Sequence, residues 1–164
     1  MVRRGFDLSE LIRGQVEALT IMGYNELYLF KVEGYGRERL NLFRFTDLGL
    51  NFPEDGLYTH SRLWEEENEA CRAFRAASLK GWRYANDHRE ETLRMILAHT
   101  PRSPFPTSPE HQSMMLSGAL KLIDFSPQGL GRLSISDFDR VAQTLLDLDQ
   151  IDTIPRAGEI YVGV

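Results

Sequence analysis

An amide and a carboxylate stand side by side at Asn25 and Glu26, directly after an apolar run from residue 16 to residue 22. The run contains β-branched residues and predicts a buried strand, so the pair would lie at a strand-to-helix turn. In open α/β sheets, ligands bind outside the carboxyl ends of the strands. A carboxylate there accepts from an amino group or a protonated ring nitrogen, and an asparagine both donates and accepts. The pair would therefore suit a small flat heteroaromatic ring that carries an amino group.

Local structure offers an alternative for each of these residues. Asn25 could cap a helix predicted over residues 26–32, and Glu26 could lie in its first turn, where the helix dipole favours negative charge. Tyr24 could stack on a flat ring or pack in the core. Asp47 lies in a turn-rich segment, where an aspartate commonly bonds the local backbone. The candidate ligand-binding residues are Tyr24, Asn25, Glu26 and Asp47.

The remaining reactive residue types form no catalytic or metal-binding pattern. The four histidines have no metal-binding spacing, and surface or capping roles are expected for all of them. They are His60, His88, His99 and His111. Cys71 is the only cysteine and is predicted to be a small core residue. No cofactor and no metal are predicted, and the chain is not expected to be an enzyme.

Composition is that of an ordinary globular protein. Of 164 residues, 42% are hydrophobic and 26% charged, which allows one domain or a lobe with an appendage. The net charge is −5 and no basic run is present, so a nucleic-acid partner is not expected. No stretch approaches the ~20 apolar residues of a membrane span. Residues 1–14 carry charges where an export signal would be apolar, so no signal peptide is predicted.

Alternation of apolar runs and helical patterns predicts an α/β fold. Strands are predicted over residues 16–22, 40–45 and 57–60, with a terminal strand over 159–162.

Helices follow from three- and four-residue spacing and from capping signals. A short helix is predicted to start at Asp7 and stop at Gly14, and a helical region is capped by Ser61. The longer helices are predicted over residues 26–32, 67–86, 89–98, 109–123 and 136–148. Ser108 followed by Pro109 starts the helix at 109–123, and either Ser134 or Ser136 caps the last one.

Four prolines between residues 101 and 109 predict a linker or a surface loop. The sequence thus predicts an α/β lobe portion over residues 1–100 and a helical C-terminal segment over 110–164 that packs on it.

Four segments, which follow one another in the same order along the chain, resemble one family, the substrate-binding proteins of ABC transporters for thiamine pyrimidine precursors. Residues 16–26 resemble its V-D-A-x-T-x-M-x-Y-N-E segment, and residues 43–58 its F-x-F-x-D-x-G-V-D-F segment. Residues 74–85 resemble its F-L-R-A-S-L-K-G-W-E-Y-A helix, and residues 130–133 its C-terminal I-G-x-M region. One departure lies inside the match, because Glu17 stands where the family usually has aspartate.

This resemblance implies a type II periplasmic-binding-protein fold, in which two α/β lobes close on a ligand. It also implies an aminopyrimidine-like ligand, an ABC-transporter permease as partner and a periplasmic or extracytoplasmic location. The match corresponds to the C-terminal part of that fold, so a partial fold with weak or absent binding is expected. The alternatives are a fragment or truncated paralogue without tight binding, and a relative of a pyrimidine-precursor synthase or of a sensor domain.

A partial fold leaves surfaces uncovered, so a homo-oligomer is expected. The open edge of the strand at 16–22 and the apolar faces of the helices at 70–85 and 136–148 are the predicted contact surfaces.

Overall fold

The computed structural model describes residues 8–53, 55–102 and 107–162, which form α-helices joined by irregular segments and short 3-10 turns. The helices are α1 (Ser9–Ile12), α2 (Glu26–Val32), α3 (Ser61–Glu66), α4 (Asn68–Asp87), α5 (Arg89–His99), α6 (Pro109–Leu122), α7 (Ile135–Asp147) and α8 (Ala157–Ile160).

The longer helices lie where the sequence predicts them. α2 has the predicted bounds, and α4 to α7 differ from theirs by one or two residues. Ser108 begins α6, because its Oγ accepts from the backbone N–H of His111 at 3.1 Å and Pro109 follows as the first helical residue. Ser134 begins α7 in the same way, by accepting from the N–H of Asp137 at 3.0 Å. The prediction that Asp7 caps α1 lies outside the described residues.

The predicted strands differ most from the structure. Residues 16–22, 40–44 and 57–60 are irregular or extended, and Phe45 begins a 3-10 turn, Phe45–Leu48. No strand ladder is present among the described residues, and an extended segment becomes a strand only when a neighbour bonds it. The described chain is therefore helical, and the predicted α/β class is not confirmed.

The predicted terminal strand at residues 159–162 is wrong, since α8 covers its first half. The carboxylate of Glu159 accepts from the backbone N–H of Arg156 at 3.0 Å, and the N–H of Glu159 donates back to the carbonyl of Arg156 at 2.9 Å. These two bonds close a helical turn at the position where an extended strand was expected.

The chain divides into two compact units. The first comprises Met1–Leu42 and Tyr84–Ile123, and the second Phe43–Arg83 and Asp124–Val164. The predicted linker at 101–109 falls inside the first unit, where Thr100–Arg102 is a 3-10 turn and residues 103–106 lie outside the described chain.

The first unit has a small core around α6. Both α2 and α5 pack against α6, and the buried apolar residues are Leu8, Phe30, Ala85 and Leu120. Phe30 is the largest side chain in the described residues that is fully enclosed, at 1% exposure. Two polar side chains, Glu26 and His111, are buried in the same unit.

The second unit has a small apolar core, because only Leu130 and Ala142 are buried among its described apolar residues. Arg140 lies on α7. Its Nη2 donates to the carbonyl of Asn51 at 3.0 Å and to the carboxylate of Asp137 at 2.7 Å. The guanidinium also lies 5.5 Å from the ring centroid of Phe52. Arg140 thereby holds the segment around residue 51 against α7.

Within the described part of the chain, no helix combines the length and the apolar character that crossing a bilayer requires.

Candidate functional site

Asn25 and Glu26 lie at the start of α2 and form a polar cluster with α6. Asn25 occupies the N-cap position, but its side chain makes no capping bond. Its Nδ2 donates to Oε1 of Glu26 at 3.2 Å, and its Oδ1 lies 2.8 Å from Nε2 of His111. The capping role considered for the Asn25 side chain is therefore wrong, since its amide joins Glu26 to α6.

Glu26 is buried, with 5% of its surface exposed. Its Oε2 accepts from the backbone N–H of Met22 at 2.8 Å, while its Oε1 accepts from Asn25. Both donors are neutral, and no cationic side chain of the described residues forms an ion pair with Glu26. A carboxylate can accept about four hydrogen bonds, so each oxygen keeps a lone pair.

His111 is the third residue of α6, where the Ser108 cap fixes its backbone. Because Nδ2 of Asn25 faces the Glu26 carboxylate, Oδ1 faces His111 and must accept, so Nε2 of His111 carries a hydrogen. On the other side of the ring, Nδ1 lies 3.3 Å from the hydroxyl of Thr107, which accepts from Gln112 Nε2 at 2.9 Å. The start of α6 thus determines the orientation of the Asn25 amide.

Aromatic rings border this cluster. The ring of Tyr28 stacks on that of His111, with centroids 5.4 Å apart and planes inclined by 12°. Tyr24 packs against Gly118, which lies two turns after His111 and so on the same face of α6. A Cβ on Gly118 would collide with the Cβ of Tyr24, so this glycine permits the close approach.

Asp47, the fourth candidate residue, is exposed and belongs to the second unit, within the 3-10 turn Phe45–Leu48. The turn ends at Gly49, whose φ of 72° is in the left-handed region that favours glycine. The structure therefore brings Asn25 and Glu26 together, with Tyr24 on the same face of α6, and places Asp47 in a different unit.

Two residues of the cluster were missed from the sequence. His111 was expected at the surface or as a cap but is only 8% exposed, whereas His60, His88 and His99 are exposed as predicted. For Tyr28 the sequence predicts only a position in the helix at 26–32. The spacing of His111 and Gly118 on one predicted helix face was the available signal, but no local pattern identifies a partner 86 residues away.

A second polar region lies at the junction of α4 and α5. Its depression has a volume of ≈ 290 Å³ and is lined by Asp87, His88, Arg89, Glu90, Glu91 and Arg94. The hydrogen bond to Glu91 raises the pKa of Tyr84, whose ring lies 4.4 Å from that of His88. Charges of both signs line the depression, and none of its lining side chains is buried.

A family comparison decides the affiliation. The model of the family described as NMT1/THI5 like matches residues 1–92. The chain belongs to the NMT1/THI5-like family. No curated protein and no solved structure matches the chain. Membership confirms the resemblance drawn from the sequence, and three of the four resembling segments, including Asn25 and Glu26, lie within the NMT1/THI5-like match. Residues 130–133 and His111 lie beyond it.

Replacing His111 by phenylalanine tests the cluster. The ring contact with Tyr28 would remain, but Oδ1 of Asn25 would lose its donor, so a loss of ~1–3 kcal/mol in the free energy of unfolding is expected. The matched control is His88→Phe, an exposed histidine that also contacts a tyrosine ring, where a change within ~0.5 kcal/mol is expected. Urea denaturation of both variants gives the comparison, and equal losses would contradict the structural role of the His111 bond.

Proposed function

We propose that the chain is a ligand-binding module that captures a small aminopyrimidine-like heteroaromatic, with Asn25 and Glu26 as the contacting residues. The observation that carries the proposal is the buried Glu26 carboxylate, whose donors in the described structure are two neutral N–H groups. A buried charge is unfavourable unless it is paired and hydrogen-bonded. A ligand amino group would add a further donor to the carboxylate, and a protonated ring nitrogen would also supply the missing positive partner.

The hydrogen-bonding pattern favours one arrangement of ligand groups. Since Oδ1 of Asn25 is taken by His111, the amide offers its second Nδ2 hydrogen, and Glu26 offers a lone pair. Together they present a donor beside an acceptor. An aminopyrimidine carries the complementary pair, a ring nitrogen that accepts next to an amino group that donates. The half-buried rings of Tyr24 and Tyr28 would border such a flat ligand.

Family membership supports the same class of function. The NMT1/THI5-like family is mainly one of substrate binding, so we propose a non-enzymatic role in extracytoplasmic capture, with an ABC-transporter permease as partner. On this proposal the chain would form part of a type II periplasmic-binding-protein fold.

Binding is expected to be weak, with a dissociation constant above micromolar. Glu26 is 5% exposed and bonded to Met22, so a ligand would need a rearranged turn at residues 22–26. The apparent affinity falls in proportion to the fraction of molecules in that competent state.

Glu26→Gln is expected to weaken binding of a thiamine pyrimidine precursor by about 10- to 100-fold, because a charge-assisted bond contributes ~1.5–3 kcal/mol. Asp47→Asn, an exposed carboxylate of the second unit, should leave the affinity unchanged. Isothermal titration at high protein concentration measures both. Equal affinities for the wild-type chain and Glu26→Gln would refute the assigned role of Glu26.

A structural role is the second candidate, because each polar atom of Asn25 and Glu26 already has an internal partner. In that case Glu26→Gln would lower the free energy of unfolding while no titration with aminopyrimidines produced heat. Weaker ligand binding in Glu26→Gln would support the ligand site, whereas lower stability with no detectable binding would support the structural role.

A further inference from the structure

We infer that His111 is a positioning residue that sets the specificity of the proposed ligand site. It holds the Asn25 amide in an orientation that requires an acceptor in the ligand, such as a ring nitrogen next to an amino group. The inference rests on the proposed function, and it adds a residue that lies beyond the part of the chain matched by the family model. The sequence alone predicted only a surface or capping role for His111.

A series of hydrogen bonds with a single direction leads from the start of α6 to Glu26. An ionised carboxylate only accepts, so Asn25 turns Nδ2 toward Glu26 and Oδ1 toward His111. Nε2 of His111 must then donate, and in a neutral imidazole Nδ1 is left as the acceptor. The Thr107 hydroxyl lies 3.3 Å from Nδ1 and can donate to it while accepting from Nε2 of Gln112 at 2.9 Å. Each bond determines the hydrogen position of the next, so a reversed Asn25 amide would require every donor in the series to reverse.

The imidazole of His111 is held on several sides, whereas the Asn25 amide is accessible. The His111 ring is 8% exposed and stacks on Tyr28 at 5.4 Å, and its backbone N–H is bonded to Oγ of Ser108 at 3.1 Å. Asn25 is only half-buried. A ligand can therefore meet an amide whose orientation is set by a buried neighbour, and binding groups fixed by their supporting contacts are the more selective ones.

In this orientation Asn25 distinguishes ligands that differ by one ring atom. Its Oδ1 is occupied by His111 and one Nδ2 hydrogen by Glu26, so the amide offers a ligand only the second Nδ2 hydrogen. A ring nitrogen next to an amino group accepts that hydrogen while the amino group donates to Glu26. A carbon in place of the nitrogen presents a C–H to the amide and leaves the donor unpaired. Sites built to form a hydrogen bond reject analogues that lack the partner group.

The test compares two flat amines that differ only at that ring atom, ortho-aminopyridine and aniline. Both are titrated into the full chain at an alkaline pH where neither amine is charged, and binding is followed by the NMR shifts of the Asn25 and Glu26 amides. We expect ortho-aminopyridine to bind about tenfold more tightly than aniline, because aniline leaves the Asn25 donor unpaired. The ratio of the two affinities measures the specificity that His111 is inferred to set.

Substitutions of His111 separate positioning from stability. His111→Phe keeps a ring against Tyr28 but gives Oδ1 of Asn25 no donor, so the amide is free to turn and the ratio should fall to about one. His111→Gln can donate to Oδ1 again and should restore most of the ratio. A residue that only stabilises the chain would weaken both amines equally. The matched control, His88→Phe, replaces an exposed histidine beside a tyrosine ring and should leave the ratio unchanged.

The hydrogen position on the His111 ring provides a measurement that needs no variant. Long-range proton–nitrogen NMR of the unmodified chain at the same pH should place the hydrogen on Nε2, and a hydrogen on Nδ1 would overturn the inference. An unchanged ratio in His111→Phe would overturn it as well. Equal affinities of the unmodified chain for the two amines, with aminopyrimidine binding that still depends on Glu26, would overturn this inference and leave the proposed function standing. Absence of binding by the amines and by aminopyrimidines would overturn both.

Discussion

Phe30→Ala is expected to lower the free energy of unfolding of the first unit by ~3–5 kcal/mol. Phe30 is 1% exposed and is the largest fully enclosed side chain of the described residues. Its ring meets that of Tyr35 edge to face at 6.2 Å, and its carbonyl accepts from the N–H of Tyr35 at 2.9 Å. Truncation removes the buried ring and leaves a cavity, and both terms contribute to the loss.

So large a loss would be a substantial fraction of a domain's stability, which is typically ~5–15 kcal/mol. The control is Phe74→Ala on α4, where the same side chain is 65% exposed and a change within ~0.5 kcal/mol is expected. Urea denaturation followed by circular dichroism measures both variants. A loss below ~1 kcal/mol for Phe30→Ala would mean that Phe30 is not enclosed in solution.

Helix positions could be predicted from the sequence because their signals are local. Ser108 with Pro109 marks the start of α6, and Ser134 marks that of α7, within one turn of the bonds they form. Gly14 follows α1 with a φ of 69°, as its predicted stop requires.

Strands could not be predicted as reliably as helices, because a strand forms only when it pairs with another segment that can be distant in the sequence. The run at residues 16–22 is apolar and β-branched, but a strand also needs a neighbour to bond its backbone groups. The described residues provide no such neighbour for it. None of its residues is buried, so the prediction of a buried strand is wrong, and an apolar run alone established neither burial nor a sheet.

The sequence also did not show which helix faces are covered by other parts of the chain. The apolar face of α4 includes Phe74 and Trp82, and both are exposed, as a surface left uncovered by a partial fold would be, whereas Ala85 is the buried residue of this helix. Three- and four-residue spacing shows that a helix has an apolar face but not what covers it. The same reasoning missed His111, whose partner Asn25 lies 86 residues earlier in the chain.

Gly118→Ala and Gly81→Ala are expected to change stability in opposite directions. Both glycines lie inside helices, where alanine is intrinsically favoured by ~1 kcal/mol. An added Cβ at Gly81 meets nothing within 4 Å, so Gly81→Ala should stabilise the chain by about that amount. An added Cβ at Gly118 would collide with the Cβ of Tyr24 and lie 3.2 Å from its Cα.

The collision at Gly118 cannot be relieved by a side-chain rotation, because the position of the Tyr24 Cβ is fixed by its backbone. α6 must move away from the segment before α2, which also strains the Asn25–His111 bond. Overpacking of this kind costs ~1–3 kcal/mol, and because both variants gain the same helix propensity, they should differ by that ~1–3 kcal/mol. Thermal and urea unfolding of both variants measure the difference. Stabilisation by Gly118→Ala equal to that by Gly81→Ala would show that α6 does not contact Tyr24 in solution.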